Sequence, residues 1–240
     1  MNIQKFTRPA RRILPLKYCG AVIVAAGNAT RMKGIDKALT ELEGMPVIQR
    51  SVKAFQDCEA IREIVVVTRS DLLVQVMGLC KNYNKVRAVV AGGEDRPASV
   101  NAGLNALSGK VKLAAIHDGA RPLVSCAVID RTVRAAHTYG AAAPIVPVKD
   151  TIKNIQGGMA LSTPDRSKLG AVQTPQVFDF DLLRGALKKA KQDGLSITDD
   201  CSAVEHLGMK IKLVEGDERN IKITTPLDLK LAKVFLEDML

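Results

Sequence analysis

Five short runs of nearly unbroken apolar residues, at 19–26, 61–68, 86–91, 111–117 and 141–148, set the terms on which this chain can fold. A strand that is apolar on both alternating faces has no side to turn to water, so it must be covered above and below. Stretches of helical period separate the runs, at about 46–57, 70–81, 97–108 and 127–139. Pro97 stands near the start of the third, where its missing N–H costs nothing, and Val100, Leu104 and Leu107 follow as one buried stripe. Strand–helix alternation of this kind predicts an α/β fold, a Rossmann-like three-layer α/β/α sandwich around a mostly parallel sheet.

The alternation breaks near Asp150. From there to Phe178 the chain is polar and turn-rich, with Gly157-Gly158 and Thr163-Pro164, and has no long helical period. Such a segment suits a protruding β-arm, inserted at about 149–177, better than a further βαβ unit. Helices at about 179–193 and 199–207, a strand at 210–214 and a helix from about 226 follow; the last places Leu229, Ala232, Leu236 and Leu240 on one face. No linker divides the chain. The expected organisation is a basic extension over 1–18 and one domain over 19–240 that carries the arm.

Composition removes several classes of function. The chain has 240 residues, 47% of them apolar, which is enough to build a core. No apolar run approaches the ~20 residues of a membrane-spanning helix, and the first twenty residues show no secretory pattern. The net charge of +10 first suggests a polyanion partner, but Lys5, Arg8, Arg11, Arg12 and Lys17 supply half of it before residue 20. Aromatics are 3% with no Trp, so base-stacking platforms are scarce and a nucleic-acid partner is not expected. Cys19, Cys58, Cys80, Cys126 and Cys201 form no CxxC pair, which suits a reducing, cytoplasmic setting. His117, His137 and His206 stand singly, read as core or surface residues, and form no Ser/His/Asp or Cys/His arrangement.

The informative segments lie where strands end. Val24-Ala25-Ala26-Gly27-Asn28-Ala29-Thr30-Arg31-Met32, reaching to Lys37, follows the first strand; small residues there let backbone N–H groups approach a phosphate, and Arg31 and Lys37 add charge. It is neither a GxGxxG fingerprint nor a P-loop. Gly92-Gly93-Glu94-Asp95-Arg96-Pro97-Ala98-Ser99 leads into a helix, with Ser99 placed to bond a base edge or cap the helix. In His117-Asp118-Gly119-Ala120-Arg121-Pro122, Asp118 suits a hydrated Mg²⁺ or a hydroxyl and Arg121 an anion, although the two also suit a simple ion pair. Thr151, Arg166, Thr198 and Lys222 can each hold an anionic polyol.

Taken in order, AAGNATRM…K, GGEDRPASVNAGL, HDGARP, PVKDTIK, TPDR, QTPQVF, TDD and NIKITTPLDL resemble the 2-C-methyl-D-erythritol 4-phosphate cytidylyltransferase family over residues 19–235. The resemblance implies transfer of a cytidylyl group from CTP to that polyol phosphate in non-mevalonate isoprenoid biosynthesis, with Mg²⁺ or another divalent cation. It assigns Ala25, Ala26, Gly27, Gly93, Glu94 and Ser99 to CTP, and Arg31 and Lys37 to the triphosphate in the transition state. Asp118, Arg121 and Thr198 would line the polyol site, with Asp118 also offered to the metal. Thr151 and Arg166 would reach from the arm into a second subunit of a homodimer, and Lys222 would position the substrate phosphate. Two positions depart from the family pattern: Ala29 replaces a usual Gly beside Thr30, commonly basic, and the usual Pro before Lys37 is absent. A ribitol-5-phosphate cytidylyltransferase, or a non-catalytic nucleotide-binding regulator, is the alternative.

Overall fold

The strand β1, Cys19–Ala25, shows why the sheet is a middle layer. Cys19, Ala21 and Ile23 enter one apolar cluster and Val22 the other, so both faces of the strand are buried by the period-two alternation of its side chains. In this computed structural model residues 15–27 and 38–238 are described. A two-strand hairpin, β2 (Glu41–Leu42) and β3 (Met45–Pro46), precedes α1 (Val47–Asp57). Then come β4 (Glu63–Thr68), α2 (Leu73–Cys80), β5 (Val86–Ala91), α3 (Arg96–Ala106), β6 (Leu113–Asp118), α4 (Cys126–Tyr139) and β7 (Ala141–Pro147). The expected strands are present with ends displaced by one or two residues. The stretch 70–81 divides into a 3₁₀ turn, Ser70–Leu72, and the helix. Pro97 sits one place inside α3, because Asp95 caps the helix by accepting the Ala98 N–H at 2.7 Å.

β6, β1, β4 and β5 run parallel. α1, α2 and α4 cover one face; Phe55, Ile48, Val128 and Val133 are buried there. On the other lie α3, α5 (Phe180–Gln192) and α6 (Asp200–His206), with Val100, Leu104, Leu183 and Val204. Each such side chain contributes about 1.5–3 kcal/mol on burial. The chain passes from β1 to β4 and β5 on one side and returns to β6 on the other, so the crevice between β1 and β6 is the switch point where open α/β sheets bind ligands.

The turn-rich segment divides. Among the described residues β8 (Asn154–Gln156) and β9 (Met159–Ser162) pair only with each other, whereas β10 (Gly170–Val172) and β11 (Gln176–Asp179) return to the main sheet, antiparallel to β7, and β11 also to β6. A strand inserted there was not expected: 149–177 reads as arm throughout. β12 (Lys212–Glu215) joins β7 in parallel and completes eight strands. Of the span read as an extension, 1–14 lie outside the described residues; within 15–18, Lys17 Nζ reaches Asp179 at 3.2 Å and Leu16 packs on the first cluster. On α7 (Pro226–Glu237) Ala232 is fully buried and Leu229 and Leu236 partly so; Leu240 lies outside the described residues. No described helix is long and apolar enough to cross a membrane.

Candidate active site

Three strand ends and one return segment build a cleft of about 720 Å³ at the switch point. Ala25, Ala26 and Gly27 leave β1; Gly92, Gly93 and Glu94 leave β5; Asp118 ends β6; Lys222 comes from the segment before α7. The loop after β5 must be glycine. A Cβ on Gly92 would lie 2.3 Å from Ala26 Cβ, and one on Gly93 2.4 Å from Ala98 Cβ. Ser99 is buried beneath this loop, its Oγ accepting the Gly93 N–H at 3.1 Å and donating to Asp95 O at 2.9 Å. It therefore shapes the loop before it can meet a ligand.

Asp118 is the electrostatic centre. Lys222 Nζ lies 2.9 Å and Arg121 Nε 3.5 Å from its Oδ2, and Arg96 Nη2 lies 3.9 Å from its Oδ1. Burial alone would push this carboxyl up, but Lys222, Arg96 and Arg121 outweigh it and hold it at about 2. Lys222 is set in place by its neighbour. Ile223 is fully buried against Leu42, Val47 and Ala232, and its N–H donates to Ala120 O at 2.8 Å. Thr225 and Asp228 then cap α7 reciprocally, which fixes the exit of the chain.

Arg96 and Asp200 were not among the residues singled out for chemistry. Arg96 Nη2 meets Asp200 Oδ2 at 2.6 Å, and the Asp200 carboxylate is wholly buried, its Oδ1 without a partner among the described residues. Burial raises the Asp200 carboxyl, with Arg96 offsetting part of that; the Arg96 guanidinium itself is raised, because Asp200 overcomes its desolvation. Gln176 holds the start of α6: its Oε1 accepts from the N–H groups of Asp200 and Cys201, and its Nε2 donates to Asp199 at 2.7 Å. Both residues lie inside the GGEDRPAS and TDD segments, so their motifs were visible while their pairing was not.

The structure thus gathers Ala25, Ala26, Gly27, Gly93, Glu94, Ser99, Asp118 and Lys222 around one cleft, with Arg121 against Asp118. Thr198 is exposed just before the cap of α6, outside this lining. Thr151 and Arg166 are exposed on the far side of β7, where Arg166 donates to Lys149 O at 2.7 Å and borders a second groove. Arg31 and Lys37 lie outside the described residues, as do Ala29 and Thr30. Among the described residues no three His, Cys, Asp or Glu side chains are grouped to cage a metal. With three cations already on Asp118, this donor set fits only an ion that arrives on phosphates and keeps phosphate and water as ligands.

The sequence profile of the 2-C-methyl-D-erythritol 4-phosphate cytidylyltransferase family matches residues 19–238. A protein of that name from Caldanaerobacter subterraneus subsp. tengcongensis is 49% identical over 221 residues, which is 90% of this chain and 97% of the relative. A crystal structure of 4-diphosphocytidyl-2C-methyl-D-erythritol synthase from Anaerococcus prevotii superimposes with a TM-score of 0.84 at 31% identity, over 92% of this chain and 96% of that one. One of 2-C-methyl-D-erythritol 4-phosphate cytidylyltransferase from Thermus thermophilus gives 0.74 at 34% identity, over 90% and 98%.

Proposed function

The chain belongs to the 2-C-methyl-D-erythritol 4-phosphate cytidylyltransferase family, converting CTP and 2-C-methyl-D-erythritol 4-phosphate to 4-diphosphocytidyl-2-C-methyl-D-erythritol in isoprenoid biosynthesis, and we propose that the cleft between β1 and β6 performs this transfer. The observation that carries the assignment is Asp118 ringed by Lys222, Arg121 and Arg96 beside the glycine loop. Small residues at Ala25, Ala26, Gly27 and Gly93, with Glu94 and Ser99 beside them, would admit the nucleotide. The cations around Asp118 would receive the polyol phosphate.

The nucleophile is a phosphate oxygen, ionised at neutral pH, so no general base is needed. It forms a bond to the α-phosphorus of CTP while the bond to the leaving pyrophosphate breaks. The barrier is the approach of two anions, which positioning and fixed cations lower. Lys222 and Arg121 would hold the incoming phosphate and the polyol, and Arg31 and Lys37 the triphosphate. Asp118 keeps the cations from repelling one another before substrate enters, and its second oxygen is available to a polyol hydroxyl. Bound Mg²⁺ or another divalent cation would neutralise phosphate charge, with Asp118 as one ligand beside phosphate and water.

Thr151 and Arg166 stand apart from the cleft of their own chain, which supports a homodimer in which the arm serves the partner's site. The exposed Ile155, Met159 and Leu161 on β8 and β9 favour such pairing. Five free cysteines, four of them buried, favour a reducing, cytoplasmic setting.

Lys222→Gln tests the site. Turnover should fall by about 10²–10³ with the fold unchanged, and an unaltered kcat/KM refutes the assignment. Pyrophosphate release from CTP with methylerythritol 4-phosphate, ribitol 5-phosphate and erythritol 4-phosphate as rival acceptors tests the substrate; preference for either rival refutes it.

A further inference from the structure

His117 is fully buried, with its ring centroid 4.8 Å from that of Phe55, and it has no part in the chemistry above. A histidine that merely filled the core would leave its nitrogens to whatever lay nearby. Here one nitrogen meets the short turn that carries Asp118 and Arg121, and the other reaches that turn through Thr174. Nε2 lies 3.2 Å from Arg121 O, and Nδ1 lies 3.0 Å from Thr174 Oγ1. Thr174 Oγ1 in turn accepts the Asp118 N–H at 3.1 Å.

The direction of every bond follows from the fixed ends. A carbonyl oxygen only accepts, so Nε2 carries the proton. In a neutral imidazole Nδ1 is then an acceptor, so the Thr174 hydroxyl donates to it. A backbone N–H only donates, and the lone pairs of Thr174 Oγ1 receive that of Asp118. The chain runs one way, from the first residue of the turn through Thr174 and the ring to its last carbonyl. Within the turn the Arg121 N–H donates to Asp118 O at 3.0 Å, and Ser51 Oγ donates to Gly119 O at 2.9 Å. No charged side chain takes part in these bonds, so the ring adds geometry to the site and no charge.

We propose that His117 is a positioning residue: through Thr174 and the Arg121 carbonyl it fixes the turn bearing Asp118 and Arg121, and so sets affinity for the polyol phosphate without touching it. This rests on the reading of Asp118 and Arg121 as the polyol end of the cleft. Two substitutions separate the hydroxyl from the volume. Thr174→Ser keeps the chain, while Thr174→Val removes it at nearly constant shape and strands the Asp118 N–H.

In the full-length protein, Thr174→Val should raise KM for methylerythritol phosphate by about ten-fold or more and leave KM for CTP within about two-fold. Thr174→Ser should stay within about three-fold of the parent on both. His117→Gln, which can still reach the Arg121 carbonyl but not Thr174, should follow Thr174→Val. Should either variant fold poorly, ¹⁵N NMR of the parent still decides: the His117 imidazole must show a protonated Nε2 and a bare Nδ1 at neutral pH. The opposite tautomer, or equal kinetics for the Ser and Val variants, overturns the proposal. If Asp118→Asn leaves KM for the polyol phosphate unchanged, the polyol reading itself falls, whichever tautomer is seen.

Discussion

Removing Arg96 should make this protein's stability depend on pH more steeply than the parent's. In the parent, Asp200 is wholly buried and its Oδ2 sits 2.6 Å from Arg96 Nη2, whose side chain is about one quarter exposed. Arg96→Gln leaves that carboxylate without its cation, and burial already drives its pKa upward. The cheapest response at neutral pH is to take up a proton. Relative to an ordinary carboxyl near 3.9, holding it protonated at pH 7 costs at most about 4 kcal/mol, since each pH unit is worth about 1.4 kcal/mol. The sign follows from linkage. A raised folded pKa favours the fold below the unfolded value, and that advantage is lost as pH rises, so the penalty should be largest near pH 7–8 and small near pH 4–5. Asp118 adds little over this range, because Lys222 and Arg121 remain on a carboxyl that is held at about 2 in the parent. Urea unfolding at pH 7.5, 6 and 5 of the parent, Arg96→Gln, Asp200→Asn and the double variant gives the answer. Asp200→Asn should cost less, about 2–3 kcal/mol, since Arg96 keeps Asp118 as a second carboxylate. The double variant should lose the pH dependence and be more stable at pH 7.5 than Arg96→Gln alone. A flat penalty for Arg96→Gln, or simple additivity in the cycle, would refute the reasoning.

Three further outcomes are expected. Burial depresses His117 to about 4, below the ordinary value near 6.5, so the stability it lends is present above pH 6.5 and lost as pH falls toward 4; between pH 7.5 and 5 the parent should lose on the order of 2 kcal/mol more than His117→Asn in parallel urea titrations. Lys37→Ala should keep its melting temperature and lose about 10²-fold or more in turnover, and an unchanged kcat would remove Lys37 from the chemistry. Arg166→Ala should raise KM for the polyol phosphate far more than for CTP. Mixed and reassociated with inactive Lys222→Ala, it should recover about a quarter of parental activity, because one site of each heterodimer is then intact. Heterodimers without recovered activity would place both residues in the same subunit's site.

What the sequence made legible was whatever local pattern specifies. The apolar runs fixed five strands, and residues at their carboxyl ends, from Ala25 to Asp118, were visible as a site because parallel sheets put such ends on one edge. β11 was hidden for the opposite reason. Gln176 begins it and is 1% exposed, yet a glutamine reads as a surface or turn residue. Its burial is tolerable only because its amide is satisfied by Asp199, Asp200 and Cys201, more than twenty residues onward. The Arg96–Asp200 pair spans 104 positions and the His117–Thr174 bond 57, distances over which no periodicity speaks.

The same blindness distorts a count of cations. Arg31, Lys37, Arg121, Arg166 and Lys222 read as positive charge awaiting two phosphates. The folded cleft instead sets Arg121 and Lys222, together with Arg96, against Asp118 and Asp200, so the charge of Arg121 and Lys222 is already engaged. On the proposed reading, an incoming phosphate would compete with Asp118 for Lys222 rather than fall into an open field. Lys222 is suited to that exchange, since its side chain is about half exposed on a flexible stem, whereas Arg121 is 13% exposed and tied to Asn220 O at 2.7 Å. Burial suggests the division of labour for the proposed site: Arg121 and Arg96 would hold its shape, and Lys222 would be the one of the three to change partners when substrate arrives.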